Sequence, residues 1–194
     1  MKYLLVAFVF VCGSVWAQVP AAAHKYRPHL IRASHAVWGL NAPIPAFAAQ
    51  IHQESAWRSD VCSPYACGLT QFTPDTAEWI GNLYGVELGP TDRFNPVWAI
   101  RAMVRYDKYL FDSTPGHTEC DRFWGALRKY NGGPGHWNME SRHATDRLDR
   151  YDVDLQCGKA RRSIKHCPEN VGYPRRILLT HQPKYASWGV RVCN

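Results

Sequence analysis

Apolar residues recur along this chain at helical rather than strand spacing. In 28–40, Leu30, Ile31, Ser34, Val37 and Trp38 fall on one helix face, with Pro28 suited to a first turn and Gly39 to the end. In 43–56, Ile44, Phe47, Ala48 and Ile51 form a stripe whose next members are Glu54 and Ser55. Thr73-Pro74-Asp75 supplies an N-cap, a first-turn proline and an acid that complements the helix dipole. Ala77, Ile80 and Leu83 give that helix a buried face and Gly85 a stop. Asn95-Pro96 repeats the start signal and launches a helix with Ile100, Met103, Val104 and Leu110 inward. Phe123, Trp124, Leu127 and Tyr130 mark another, stopped by Asn131-Gly132-Gly133, and Tyr173-Pro174 opens a last one carrying Ile177 and Leu178. With little strand signal and no internal repeat, the pattern predicts one mainly α-helical domain with functional loops between helices.

The stripe in 43–56 carries an anomaly. Glu54 puts a carboxylate where a core residue belongs. Burying that charge unpaired costs several kcal/mol, and the usual response is a raised pKa. A glutamic acid that stays protonated near neutral pH is what a general acid requires. The plain alternative is a helix-end side chain that bends out to water or pairs with Arg58.

Composition narrows the setting. A chain of 194 residues, 46% hydrophobic, has enough apolar material for one core. The start reads as a signal peptide over 1–17: Lys2 as the charged region, 4–11 as the apolar run, and cleavage after Ala17. That run is too short for a transmembrane span, so no stable membrane span is expected after cleavage, and Val11 before Cys12 argues against lipoprotein processing. Residues 18–27 read as an N-terminal segment and 28–194 as the folded domain. Export places the protein in a periplasm or outside the cell. The six cysteines left are Cys62, Cys67, Cys120, Cys157, Cys167 and Cys193, an even number that points to disulfides. Fifteen connectivities are open; pairing near neighbours first gives Cys62–Cys67, Cys157–Cys167 and Cys120–Cys193. The chain has no CxxC and its His residues lack ligand spacing, so neither a zinc site nor any cofactor is expected. The net charge of +7 is interleaved with acids, as in 140–154, and no aromatic-basic ladder or helix-turn-helix signal accompanies it. An exported basic protein is better matched to an anionic envelope polymer than to nucleic acid.

The order of motifs is more specific than any of these. Glu54-Ser55, Gly68-Leu69-Thr70-Gln71, Pro74-x-Thr76-Ala77, Phe94-Asn95-Pro96, Tyr130-Asn131-Gly132-Gly133 and Glu169-x-x-x-Tyr173 follow one another along the chain. Together they resemble the soluble lytic transglycosylase family, lysozyme-like enzymes that cleave peptidoglycan. The likeness covers roughly 28–181. Thr70 stands where the family has Met, and Asn170 where it usually has Thr.

The resemblance implies a lysozyme-like fold of the goose-lysozyme and lytic transglycosylase kind, with peptidoglycan glycan strands as partner. Glu54 would be the single essential carboxyl, acid first and base second, closing a 1,6-anhydro ring on the muramoyl residue. Ser55 would bond the substrate acetamido group or Glu54, unless it bonds its own helix backbone; Gly68, Leu69 and Gln71 would line the sugar cleft, although Gly68 also fits a plain turn. Tyr130, Asn131 and Tyr173 would face substrate or Glu54, although Asn131 also fits a helix C-cap. Glu169 is either a site residue or a structural bond across the cleft floor. Asp75 and Asp92, conceivable second carboxylates, are accounted for by a helix start and a turn. Residues 134–168 are longer than the family spacing and are read as a disulfide-braced flap beside the cleft. A goose-type hydrolase and a non-catalytic glycan-binding module stay open as alternatives. The setting could be wall recycling, a secretion or conjugation apparatus, or phage lysis.

Overall fold

The computed structural model describes residues 19–193; the signal peptide expected at 1–17 lies outside them. Eight α-helices occur among the described residues: α1 (Ala21–Trp38), α2 (Ile44–Ser55), α3 (Pro74–Leu88), α4 (Pro96–Asp112), α5 (Glu119–Gly132), α6 (Pro134–Ser141), α7 (Arg150–Asp154) and α8 (Cys167–Arg175). A π-helical stretch, Arg176–His181, and a 3₁₀ stretch, Gln182–Trp188, follow α8. Extended pairing among the described residues is limited to isolated bridges of Cys67 with Cys62 and with Phe72.

The start signals fold as their chemistry dictates. Thr73 Oγ1 accepts from the Thr76 amide at 3.1 Å, and Asn95 Oδ1 accepts from Val97 and Trp98. Thr118 and Asp121 form a reciprocal capping box at the head of α5.

The central helix is α2. Every residue from Ile44 to Ile51 is buried. It packs against α1 on one side and against the π and 3₁₀ stretches on another. Phe47 lies against Trp38 and Phe123, so the aromatic centre of the core is built from α1, α2 and α5. Ile100, Met103, Val104 and Leu110 of α4 are fully buried beneath it. The three disulfides are Cys62–Cys67, Cys120–Cys193 and Cys157–Cys167, the near-neighbour set.

Several boundaries differ from the sequence pattern. Helix α1 begins at Ala21 and keeps Pro28 inside it, because Ala23, Tyr26 and Leu30 continue the buried stripe backwards. Residues 21–27 thus join the core rather than lead into it. In α3, Leu83 is half exposed and Gly85 does not stop the helix. A kink at Tyr84 (φ −121°, ψ 21°) rotates the last turn so that Leu88 is buried instead, and Gly89 (φ 77°) caps it. Helix α8 begins at Cys167, not at Tyr173; Pro174 lies inside it, and the backbone then widens into the π stretch.

The largest correction concerns 134–168. No residue of this segment lines the cleft described below. It folds into α6, α7 and a 3₁₀ turn (Ile164–His166), with α6 and α7 packed on α5. Two features tie it there: Trp137 and Val153 are buried, and so is a cluster of charges. Arg128 on α5 is fully buried and donates to Glu140 Oε2 at 2.6 Å and to Asp154 Oδ1 at 3.0 Å. Arg162 reaches the other Glu140 oxygen at 3.1 Å. These charges can be buried only together, and they draw the segment behind α5.

Candidate active site

Helix α2 delivers Glu54 to the floor of a cleft of ≈ 400 Å³. Two consecutive left-handed residues, Ala56 (φ 51°) and Trp57 (φ 68°), end the helix there. Trp57 is buried and donates its indole N–H to Tyr185 Oη at 2.6 Å, which fixes the turn and so the aim of the preceding carboxyl. The cleft walls come from the Cys62–Cys67 loop (Ser63, Tyr65, Ala66), the segment Gln71–Thr73, Tyr106 of α4, Tyr130 and Asn131 of α5, and Glu169, Tyr173 and Arg176.

The Tyr173 hydroxyl donates to Glu54 Oε1, so the other carboxyl oxygen is the one free to exchange a proton with a ligand. Glu54 opens on the cleft and keeps partial exposure as a residue, yet protein encloses its carboxyl closely enough that loss of water governs its proton affinity. Burial pushes the pKa up to about 8. The Tyr173 hydrogen bond opposes that rise, nearby Glu169 adds to it, and Arg176 reduces it. Tyr173→Phe is expected to push the Glu54 pKa higher still, because the hydroxyl stabilises the carboxylate form. The alkaline limb of any Glu54-dependent activity then moves to higher pH; a pH–rate profile checks this, and an unmoved limb counts against the contact.

Not every residue expected at the cleft reaches it. Ser55 is buried and donates to Leu69 O at 2.8 Å and to Ile51 O, so its hydroxyl serves the backbone rather than Glu54 or a sugar. Leu69 is a core residue. Gly68 (φ 82°) allows a close approach, but of protein: a Cβ there would lie 2.3 Å from Arg93 O. Gln71 lines the cleft while its Nε2 donates to Val61 O and Gly68 O, each at 2.9 Å, leaving the amide oxygen as its acceptor. Tyr130 lines the cleft too, but its hydroxyl donates to Thr70 O at 2.7 Å rather than to Glu54. Asn131 lies in the last turn of α5, with Gly133 rather than Asn131 as the cap. It donates to Glu169 Oε1 at 3.4 Å. Asp75 and Asp92 stay outside the cleft; Asp92 accepts from the Phe94 and Asn95 amides in a turn.

The pattern reading missed Gln53, Phe72, Tyr106 and Arg176 of the cleft wall. Tyr106 lies one turn beyond the stripe residue Met103, and Arg176 one turn beyond Tyr173, so helical spacing could have found both. It also missed Asp107, a buried carboxyl on α4 that accepts from Gln50 Nε2 at 3.2 Å. Burial, then the neighbouring Glu54, holds Asp107 well above the usual carboxylate range. Among the described residues no group of three or more His, Cys, Asp or Glu is placed to hold a metal ion.

A family model, the transglycosylase SLT domain, matches residues 34–153. The chain belongs to this family. It is 36% identical over 105 residues to a membrane-bound lytic murein transglycosylase F of Maricaulis maris, covering 53% of the chain and 21% of the relative. The corresponding protein of Alteromonas mediterranea is 32% identical over 133 residues, 67% of the chain and 24% of the relative. The SLT chain thus spans about a fifth to a quarter of the length of these relatives. Its fold is that of an inactive mutant of the lytic transglycosylase Slt from Pseudomonas aeruginosa, with TM-score 0.65 and 21% identity over 87% of this chain and 25% of that one. The 70 kDa soluble lytic transglycosylase of Escherichia coli gives TM-score 0.62 and 21% identity, covering 87% of this chain and 27% of that one. The lysozyme-like SLT fold expected from the motif order is therefore the fold observed. No helix among the described residues is long and apolar enough to cross a membrane.

Proposed function

We propose that this SLT domain cleaves the β-1,4 bond between N-acetylmuramic acid and N-acetylglucosamine in peptidoglycan, as a lytic transglycosylase. The observation that carries the reading is Glu54: a carboxyl with pKa about 8, at the floor of a polar cleft, with one oxygen held by Tyr173. Such a group is protonated at neutral pH and can act as an acid before it acts as a base.

The steps follow from that state. Glu54 gives its proton to the glycosidic oxygen as the bond to the muramoyl anomeric carbon breaks. The substrate's acetamido oxygen shields the positive carbon. The muramoyl 6-hydroxyl then attacks that carbon and returns its proton to the Glu54 carboxylate. One bond breaks, one forms, no water is consumed, and Glu54 ends as it began. Gln71, Tyr130 and Asn131 line the cleft where the strand would lie. The export expected from residues 1–17 would suit this chemistry, since peptidoglycan lies outside the cytoplasmic membrane and three disulfides suit an oxidising compartment.

Mass spectrometry of digested sacculi tests the outcome. The expected products end in 1,6-anhydromuramic acid. Reducing-end muramic acid would instead make the domain a goose-type hydrolase, with Glu169, the exposed carboxylate of the cleft wall, as the candidate to direct a water.

A further inference from the structure

The Asn170 amide is oriented from both sides by one residue. The Arg128 guanidinium can only donate, and its Nε donates to Asn170 Oδ1 at 3.0 Å. The Arg128 carbonyl can only accept, and it takes a proton from Asn170 Nδ2 at 2.9 Å. The second Nδ2 proton is thereby aimed at Asn131 Oδ1, 2.9 Å away. With its oxygen so occupied, Asn131 must turn its own Nδ2 toward the cleft, where it meets the Glu169 carboxylate. Asn170 is 1% exposed and Arg128 fully buried, so water does not compete for the two bonds between them. Gly132 makes room for the chain: a Cβ there would lie 2.5 Å from Asn170 Nδ2 and 2.6 Å from Arg162 Nη1.

We infer that Asn170, backed by Arg128 and the 134–168 segment, is a positioning residue that fixes Asn131 as a hydrogen-bond donor to substrate. The inference rests on the glycan reading of the cleft. The donor would meet an acceptor on the saccharide, an acetamido carbonyl or a hydroxyl oxygen. The segment that does not line the cleft then acts on it from behind. Glu140 and Asp154 hold Arg128, Arg128 sets Asn170, and Asn170 sets the polarity of Asn131.

Calorimetric binding of a MurNAc–GlcNAc tetrasaccharide tests this in a Glu54→Gln background, where no cleavage intervenes. Asn131→Ala is expected to weaken binding about tenfold, the loss of one oriented bond. Asn170→Ala is expected to weaken it by a similar factor, and the double variant to bind no worse than Asn131→Ala alone. A purely structural Asn170 would lower the melting temperature of its Ala variant and leave affinity unchanged; that result, or losses that multiply, overturns the inference while the glycan reading stands. If the Glu54→Gln protein does not bind the tetrasaccharide at all, both readings fall. Should Asn170→Ala not fold, side-chain amide NMR of the otherwise unaltered Glu54→Gln protein decides. The Asn131 NH₂ resonances are expected to shift on adding the tetrasaccharide, and unmoved resonances overturn the assignment.

Discussion

Glu54→Gln is expected to lower peptidoglycan turnover by about 10²–10⁴-fold and, at neutral pH, to make the protein more stable. Both effects come from the same proton. The amide keeps an oxygen for Tyr173 but has no proton of useful acidity, so the first step fails. The stability effect follows from linkage. The Glu54 pKa is about 8 in the folded protein against an ordinary value of 4.5, so between those values the folded state holds a proton that the unfolded state has released. Stability therefore falls as pH rises from about 4.5 to about 8 and is flat with respect to this group beyond. Glutamine has no such dependence. The two proteins should unfold alike near pH 4 and diverge above it, with the variant ahead by on the order of 2 kcal/mol at pH 7, discounted because the carboxyl opens on the cleft. Urea unfolding at several pH values, read beside a turbidity assay on sacculi, measures both. Near-normal turnover would remove Glu54 from the mechanism, and a pH-independent stability difference would remove the raised pKa. The wild-type activity itself should fade as pH passes through about 8, where the acid form is lost.

The helical stripes made most of the fold legible, because each buried face repeats every three or four residues and caps announce the starts. The end of α3 and the start of α8 were not legible for a local reason. A kink at Tyr84 and a proline inside a helix both change which residues share a face, and neither leaves a periodic mark. The disulfides were within reach only because the near-neighbour guess coincides with the fold.

The site shows where pattern reading stops. Glu54 stands out as a carboxylate on an apolar stripe, but Asp107 does the same on the stripe of Ile100, Met103, Val104 and Leu110. Periodicity ranks them equally. What separates them is the cavity: Glu54 lines the cleft, while Asp107 lies behind it against Gln50. Ser55, Gly68 and Leu69 carry the converse lesson. They share a motif with cleft residues, but the motif serves the α2 turn and the loop beneath it, through the Ser55–Leu69 bond and the close pass of Arg93 at Gly68. The 134–168 segment was misplaced because a length beyond the family spacing reads as a long loop, and a long loop as a flap. In the fold its Glu140 is fully buried against Arg128.

That burial leads to the second large effect. Arg128→Met is expected to destabilise the protein by about 3–5 kcal/mol, since it takes from buried Glu140 Oε2, Asp154 Oδ1 and Asn170 Oδ1 the guanidinium that donates to each. For a domain of this size the melting temperature should drop by roughly 10 °C. The loss should depend on pH in a definite direction. Burial already raises Asp154 to about 6, with Arg128 the main influence holding it down. Without Arg128 its folded pKa rises further, so the folded state of the variant must hold a proton over a wider range than the unfolded one. The deficit is then smallest below about pH 6, where Asp154 is protonated in both folded proteins, and grows as pH rises from there toward the new folded value. Adding Glu140→Gln to Arg128→Met should restore part of the stability, because the cluster without Arg128 holds two carboxylates, Glu140 and Asp154, against the single Arg162 guanidinium, whereas in wild-type protein the same change should be destabilising. Thermal melts of the two single variants and the double at pH 5 and pH 8 test the sign reversal. If Glu140→Gln is harmful in both backgrounds, or Arg128→Met costs less than 1 kcal/mol, the buried ion pairs are not what draws the 134–168 segment behind α5.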